Sequence, residues 1–120
     1  MIDKSVAYAL AREYVDKRAI EGFKQAKLLF LDRKRPDLAE KYEFIELVID
    51  NEATQERAFG WVFFWNSKEY YATRDFGKSI VGNGPIIIDR CDGSVHELMT
   101  AGPAEKFIED YARNRTQNCE

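Results

Sequence analysis

Few residues in this chain are equipped for chemistry. The single histidine, His96, follows Val95 in an expected strand. On a strand it points away from the side shared by Val95 and Glu97. A nucleophilic triad would need Ser67, Ser79 or Ser94 together with a carboxylate, and no spacing singles one out. Cys91 and Cys119 are the only cysteines. Two thiols make neither a disulfide scaffold nor a metal knuckle, and neither reads as reactive. The run Asp89-Arg90-Cys91-Asp92-Gly93 has the wrong spacing for a calcium loop. Gly82-Asn83-Gly84-Pro85 precedes a strand and lacks the Lys and Ser/Thr of a phosphate loop, so it reads as a turn. The sequence therefore offers no catalytic set, no metal ligands and no cofactor site, and argues against an enzyme.

The charge distribution points toward binding instead. Lys and Arg number 18 against 21 Asp and Glu, a net −3, which argues against a partner held by nucleic-acid phosphates. Residues 1–35 carry nine basic and five acidic side chains, whereas residues 36–66 carry two and seven. Glu43, Glu46, Asp50, Glu52 and Glu56 are the candidate contacts for a basic partner. The same residues would serve as the solvated edge of a sheet. Arg33-Lys34-Arg35-Pro36-Asp37 reads as an exposed turn.

The elements that must position these groups form one domain over residues 1–116, with residues 117–120 as a frayed tail. At 120 residues, such a chain buries roughly two-thirds of its unfolded surface, enough for one core. The longest apolar runs are four residues, 28–31, and five, 61–65, far short of the ~18 that span a membrane. The first residues lack a basic stretch followed by an apolar one, and with so few cysteines a cytoplasmic setting is expected. A helix over residues 3–18, capped by Asp3 or Ser5, carries Val6, Ala7, Leu10, Ala11, Tyr14 and Val15 as an apolar stripe, with Gly22 just past its end. Residues 28–31 fit either a buried strand or a second helix.

From residue 44 the pattern is β. Residues 44–49 form one strand, closed by Asp50-Asn51-Glu52, and residues 57–66 the next. In that second strand Phe59, Trp61, Phe63 and Trp65 share one face, Ala58, Val62 and Phe64 the other. Residues 86–88 and 95–99 add two more, joined at Asp92-Gly93. A last helix starts near Pro103 and shows Ala104, Phe107, Ile108, Tyr111 and Ala112 on one side. Lys106–Asp110 and Glu109–Arg113 have the spacing of exposed ion pairs. The class is α+β: a four-stranded antiparallel sheet, or slightly larger, with both terminal helices on one face.

Several motifs in order carry a resemblance. Gly60-Trp61-Val62-Phe63-Phe64-Trp65-Asn66-Ser67 is followed by Val81-Gly82-Asn83-Gly84-Pro85-Ile86-Ile87-Ile88-Asp89-Arg90. Then come Asp92-Gly93-Ser94-Val95-His96, Thr100-Ala101-Gly102-Pro103 and Glu105-Lys106-Phe107-Ile108-Glu109-Asp110-Tyr111. This set resembles the bacterial immunity protein 35 family, which includes small YrhB-like proteins. The resemblance implies a non-enzymatic cytoplasmic protein, monomeric or homodimeric, that binds and neutralises a cognate toxin of a polymorphic toxin system. An acidic face would suit a basic toxin such as a nuclease. The alternative it allows is a small heat-stable, chaperone-like or stress-related protein.

Five of the sixteen aromatic side chains fall in residues 59–65. A strand that is apolar on both sides needs two covers. With both helices on one face, the other face would need residues 23–42, a second copy or a toxin.

Overall fold

A computed structural model describes residues 1–80 and 82–115. Val81, Cys119 and the expected tail at 117–120 lie outside them. The first helix, α1, runs Lys4–Asp32 and is much longer than expected. Asp3 caps it, its carboxylate accepting the Val6 N–H at 3.0 Å. Gly22 sits inside it rather than past its end, and residues 28–31 are its last turn rather than a strand. At 1.5 Å per residue it is about 43 Å long, most of the molecule's 55 Å long dimension. Leu28, Leu29 and Leu31 are exposed, because this half of the helix has passed the edge of the sheet.

Arg35 N–H reaches back to Phe30 O and Lys34 N–H to Leu31 O, with Lys34 at φ 59°. This is the glycine-type helix ending, built here on a lysine. Pro36 then opens α2, Pro36–Lys41, which folds back along α1. Phe23 meets Tyr42 and Phe44 at ring distances of 5.9 and 5.6 Å, and Phe30 meets Tyr42 at 5.8 Å.

The sheet is β1 (Leu47–Arg57), β2 (Gly60–Ser67), β3 (Ile86–Asp89) and β4 (Val95–Glu97), antiparallel throughout in that spatial order. The acidic run at 50–52 does not close the first strand. Asp50 instead accepts the N–H groups of Glu52 and Ala53 and organises a bulge, after which pairing resumes at Gln55. The turn into β2 is Ala58-Phe59, and Gly60 at φ 150° brings the backbone against Ile88. That turn moves Phe59 off the Trp61/Phe63/Trp65 face, where simple alternation had put it. A short helix absent from the sequence reading, α3 (Lys68–Thr73), follows β2 and is capped by Ser67.

The α+β class, the antiparallel four-stranded sheet and the two terminal helices are as expected. The faces the helices occupy are not. Ala7, Ala11, Val15 and Ala19 of α1 pack with Leu47, Ile49, Trp61, Phe63, Trp65, Ile86 and Ile88 on one side. The closing helix α4, Ala104–Asn114, puts Ile108 against Phe59, Val62 and Ile87 on the other. Expecting both on one face failed because a strand such as Ile86-Ile87-Ile88, buried on both sides, requires a layer on each. The ion pair at the end of α4 is Asp110–Arg113, one residue tighter than the Glu109–Arg113 spacing expected.

Candidate interaction surface

The residues with chemical potential are held in structural roles. His96 lies half-buried on the α4 face, opposite Val95 and Glu97 as its alternation required. Its Nε2 is 2.8 Å from Ser94 Oγ and its ring lies 4.9 Å from that of Tyr111, tilted by 50°. Neither His96 nor Ser94 lines any of the clefts described below. Ser67 Oγ donates to Lys78 O at 2.6 Å and accepts from Tyr70 N–H. Ser79 accepts from the Asn66 side-chain amide.

Asp89, 1% exposed, ends β3 and receives Arg115 at 2.8–3.1 Å, the Tyr111 hydroxyl at 2.5 Å and the Cys91 N–H at 3.0 Å. Burial pushes its carboxyl upward, but the bonds from Arg115, Tyr111 and Cys91 outweigh this and hold it below the usual carboxylate range. The same cluster ties the end of α4 to the sheet. The Cys91 sulfur lies 3.5 Å from the Arg115 guanidinium. Among the described residues, no group of three or more His, Cys, Asp or Glu is placed to hold a metal ion. No described helix is long and apolar enough to cross a membrane.

The surface feature of note is at the end of the sheet where β1 begins. Residues 42–46 do not join the sheet, so Phe44 and Ile45 stay 49% and 41% exposed instead of entering the core as strand residues. They form one wall of an open groove of about 790 Å³. Lys68, Glu69 and Ala72 of α3 and the single 3₁₀ turn Phe76–Lys78 supply the opposite wall. Tyr42, Ile45 and Ile80 continue the groove into a smaller apolar cleft of about 200 Å³ that reaches α1 at Arg18, Gly22 and Phe23. The floor is braced by Trp65, whose Nε1–H donates to Gly84 O at 2.9 Å while Arg18 lies 5.4 Å from its ring. Arg18 and the Tyr14 hydroxyl both bind Glu97, the latter at 2.6 Å. Burial, then that bond, pushes the Tyr14 hydroxyl up to about 12.

The five acidic candidates do not share one face. Glu43 and Glu46 line the groove, and Glu46 is 3.5 Å from Lys68 across it. Asp50 holds the bulge, with its side chain toward the α4 face as its pairing with Phe64 dictates. Glu56 pairs with Trp61 on the α1 face and binds Arg90 at 3.3 Å. Glu52 is exposed in the bulge. Asp50, Glu52 and Glu56 lie on β1, an edge strand among the described residues, whose outer side is left for solvent or a partner, whereas Glu43 and Glu46 precede it. Sequence reasoning missed Phe44 and Ile45 as surface residues, since β-branched and aromatic side chains in a row read as a buried strand.

Residues 21–112 match the family described as immunity protein 35. A stretch of 52 residues is 40% identical to the uncharacterized protein YrhB of Escherichia coli strain K12. That alignment covers 43% of this chain and 55% of YrhB, so the chain spans about half the length of this curated relative. No solved structure matches the chain. The family match takes in the second half of α1, the groove, the whole sheet and most of α4, and the chain belongs to the immunity protein 35 family.

Proposed function

We propose that this chain is a non-catalytic immunity protein that binds a cognate toxin domain and neutralises it by non-covalent complex formation, using the groove at the start of β1. The observation that carries the reading is the exposed pair Phe44 and Ile45 on the wall of that groove, with Glu43 and Glu46 at its rim, in a chain of this family. Apolar anchors in a concavity with charges around them are the usual centre of a protein–protein contact. The toxin it suits is basic, such as a nuclease. Of the seven acidic side chains in residues 36–66, Glu43 and Glu46 line the groove and Asp50, Glu52 and Glu56 lie on β1. They would steer a basic partner and set its orientation. His96 and Asp89, the groups best suited to catalysis, are spent on Ser94, Tyr111 and Arg115, which agrees with a binding role.

Co-expression with the toxin domain encoded beside it tests this. The expected result is rescue of growth and co-purification of a stable complex. Failure of both overturns the proposal. Suppression of aggregation of unrelated proteins, with no toxin complex, would favour the chaperone-like alternative.

A further inference from the structure

We propose that the outer face of α1 is a homodimer interface in which two copies of this chain lie antiparallel about a two-fold axis at Ile20. The inference is independent of the groove and of any toxin. Ala7, Ala11, Val15 and Ala19 turn toward the sheet and Phe23 and Phe30 toward the α2 side. The remaining side carries Ala9, Glu13, Asp16, Ile20, Lys24, Lys27 and Leu31 at steps of four, three, four, four, three and four residues, symmetric about Ile20 and close to the spacing of a helix-pairing seam. Ile20 is 46% exposed and Leu31 51%; Val6, one step before Ala9, is 44% exposed. No described element of the chain packs on this side.

The order of charges selects the occupant. An isologous contact requires that residues equidistant from the axis meet. Four residues before Ile20 stands Asp16 and four after it Lys24. Seven before stands Glu13 and seven after it Lys27. Eleven before stands Ala9 and eleven after it Leu31. An antiparallel second copy therefore places Ile20 on Ile20, each acid on a base and each apolar end on an apolar end. A parallel copy would place like charges together. Within one chain Asp16 and Lys24 are eight residues apart on a helix and cannot reach each other. Glu13 holds Lys17 at 2.9 Å, and the Lys27 ammonium lies 4.7 Å from the Phe23 ring. Both are long, exposed or half-exposed side chains beside the seam. A contact of one helix per copy is at the small end of stable interfaces, so the dimer is reversible and weakened by salt.

Sedimentation equilibrium of the full chain over a concentration series tests the proposal, with circular dichroism confirming that each variant is folded. The expected result is a monomer–dimer equilibrium that Ile20→Asp abolishes. Asp16→Lys and Lys24→Asp should each weaken association by about tenfold or more, since each reversal alters two symmetry-related pairs. The doubly reversed chain, Asp16→Lys with Lys24→Asp, should recover most of it. A monomer up to about 1 mM overturns the proposal. So does a dimer indifferent to Ile20→Asp, which would put the contact elsewhere. A monomer that loses toxin binding on Ile20→Asp would also overturn it, and would give this face to the toxin.

Discussion

Asp89 is the residue on which the C-terminal half depends. It is buried and accepts from Arg115, Tyr111 and Cys91. Asp89→Asn leaves Arg115, 17% exposed at its side chain, without its counter-charge. We expect a loss of about 3 kcal/mol at neutral pH by chemical denaturation, as for other broken buried pairs. The sign of the pH dependence follows from the depressed carboxyl. Its contribution is fully present above the unfolded value of about 3.9 and disappears as pH falls through the lower folded value. The stability difference between wild type and Asp89→Asn should therefore hold from neutral pH down to about pH 5 and shrink below about pH 4. A difference independent of pH down to pH 2 would refute the assignment. None of this cluster was legible in the sequence. Asp89 and Arg115 are 26 residues apart, and only the docking of α4 on the second face brings them together. The turn chemistry at Asp92-Gly93 was legible, because a positive φ leaves its mark on residue type: Gly93 adopts φ 73°.

At the scale of elements, α1 shows why a sequence pattern can stop short of a helix. The stripe was readable to residue 15 because a broad sheet covers that half and leaves a clear apolar period. Beyond Ala19 the neighbour changes from the sheet to α2, the buried side rotates, and Gly22 intervenes. Gly22 has ordinary helical surroundings, and a Cβ added there would meet nothing within 4 Å. We therefore expect Gly22→Ala to stabilise the fold by about 0.5–1 kcal/mol, measured as a shift in the denaturation midpoint. Destabilisation would mean that the helix is interrupted there. Phe23→Ala should act in the opposite direction. Loss of its contacts with Tyr42 and Phe44 costs about 1–2 kcal/mol, less than a core phenylalanine because Phe23 is half-exposed. Hydrogen exchange should rise over residues 36–46 while β2 and β3 keep their protection. The strands themselves were legible in type and order, from Ile86-Ile87-Ile88 and the aromatic alternation of residues 61–65. Their ends were not, since the Asp50 bulge and the two-residue turn at Ala58-Phe59 follow from pairing between strands rather than from local composition.

For the whole molecule, the aromatic excess is accounted for by two layers on one sheet. Trp61, Phe63 and Trp65 face α1, while Phe59 and Phe64 face α4. The second cover is supplied by the chain's own C-terminal helix, and neither a toxin nor a second copy is needed to complete the core. What remains exposed is placed at the edges of this arrangement: the protruding half of α1, the acidic side of β1 and the groove holding Phe44 and Ile45. The motifs that carried the family resemblance fall mostly on buried strands and turns, so they identify the fold without marking the contact surface. The groove is the proposed seat of the toxin. Calorimetric titration of the proposed cognate toxin domain with wild type and with Phe44→Ala/Ile45→Ala tests this. A saturable complex is expected for the wild type and affinity lower by about 10–100-fold for the variant, which stays folded with its denaturation midpoint lowered by the loss of the Phe44–Phe23 contact. Equal affinity for both proteins, or no binding by either, would contradict it.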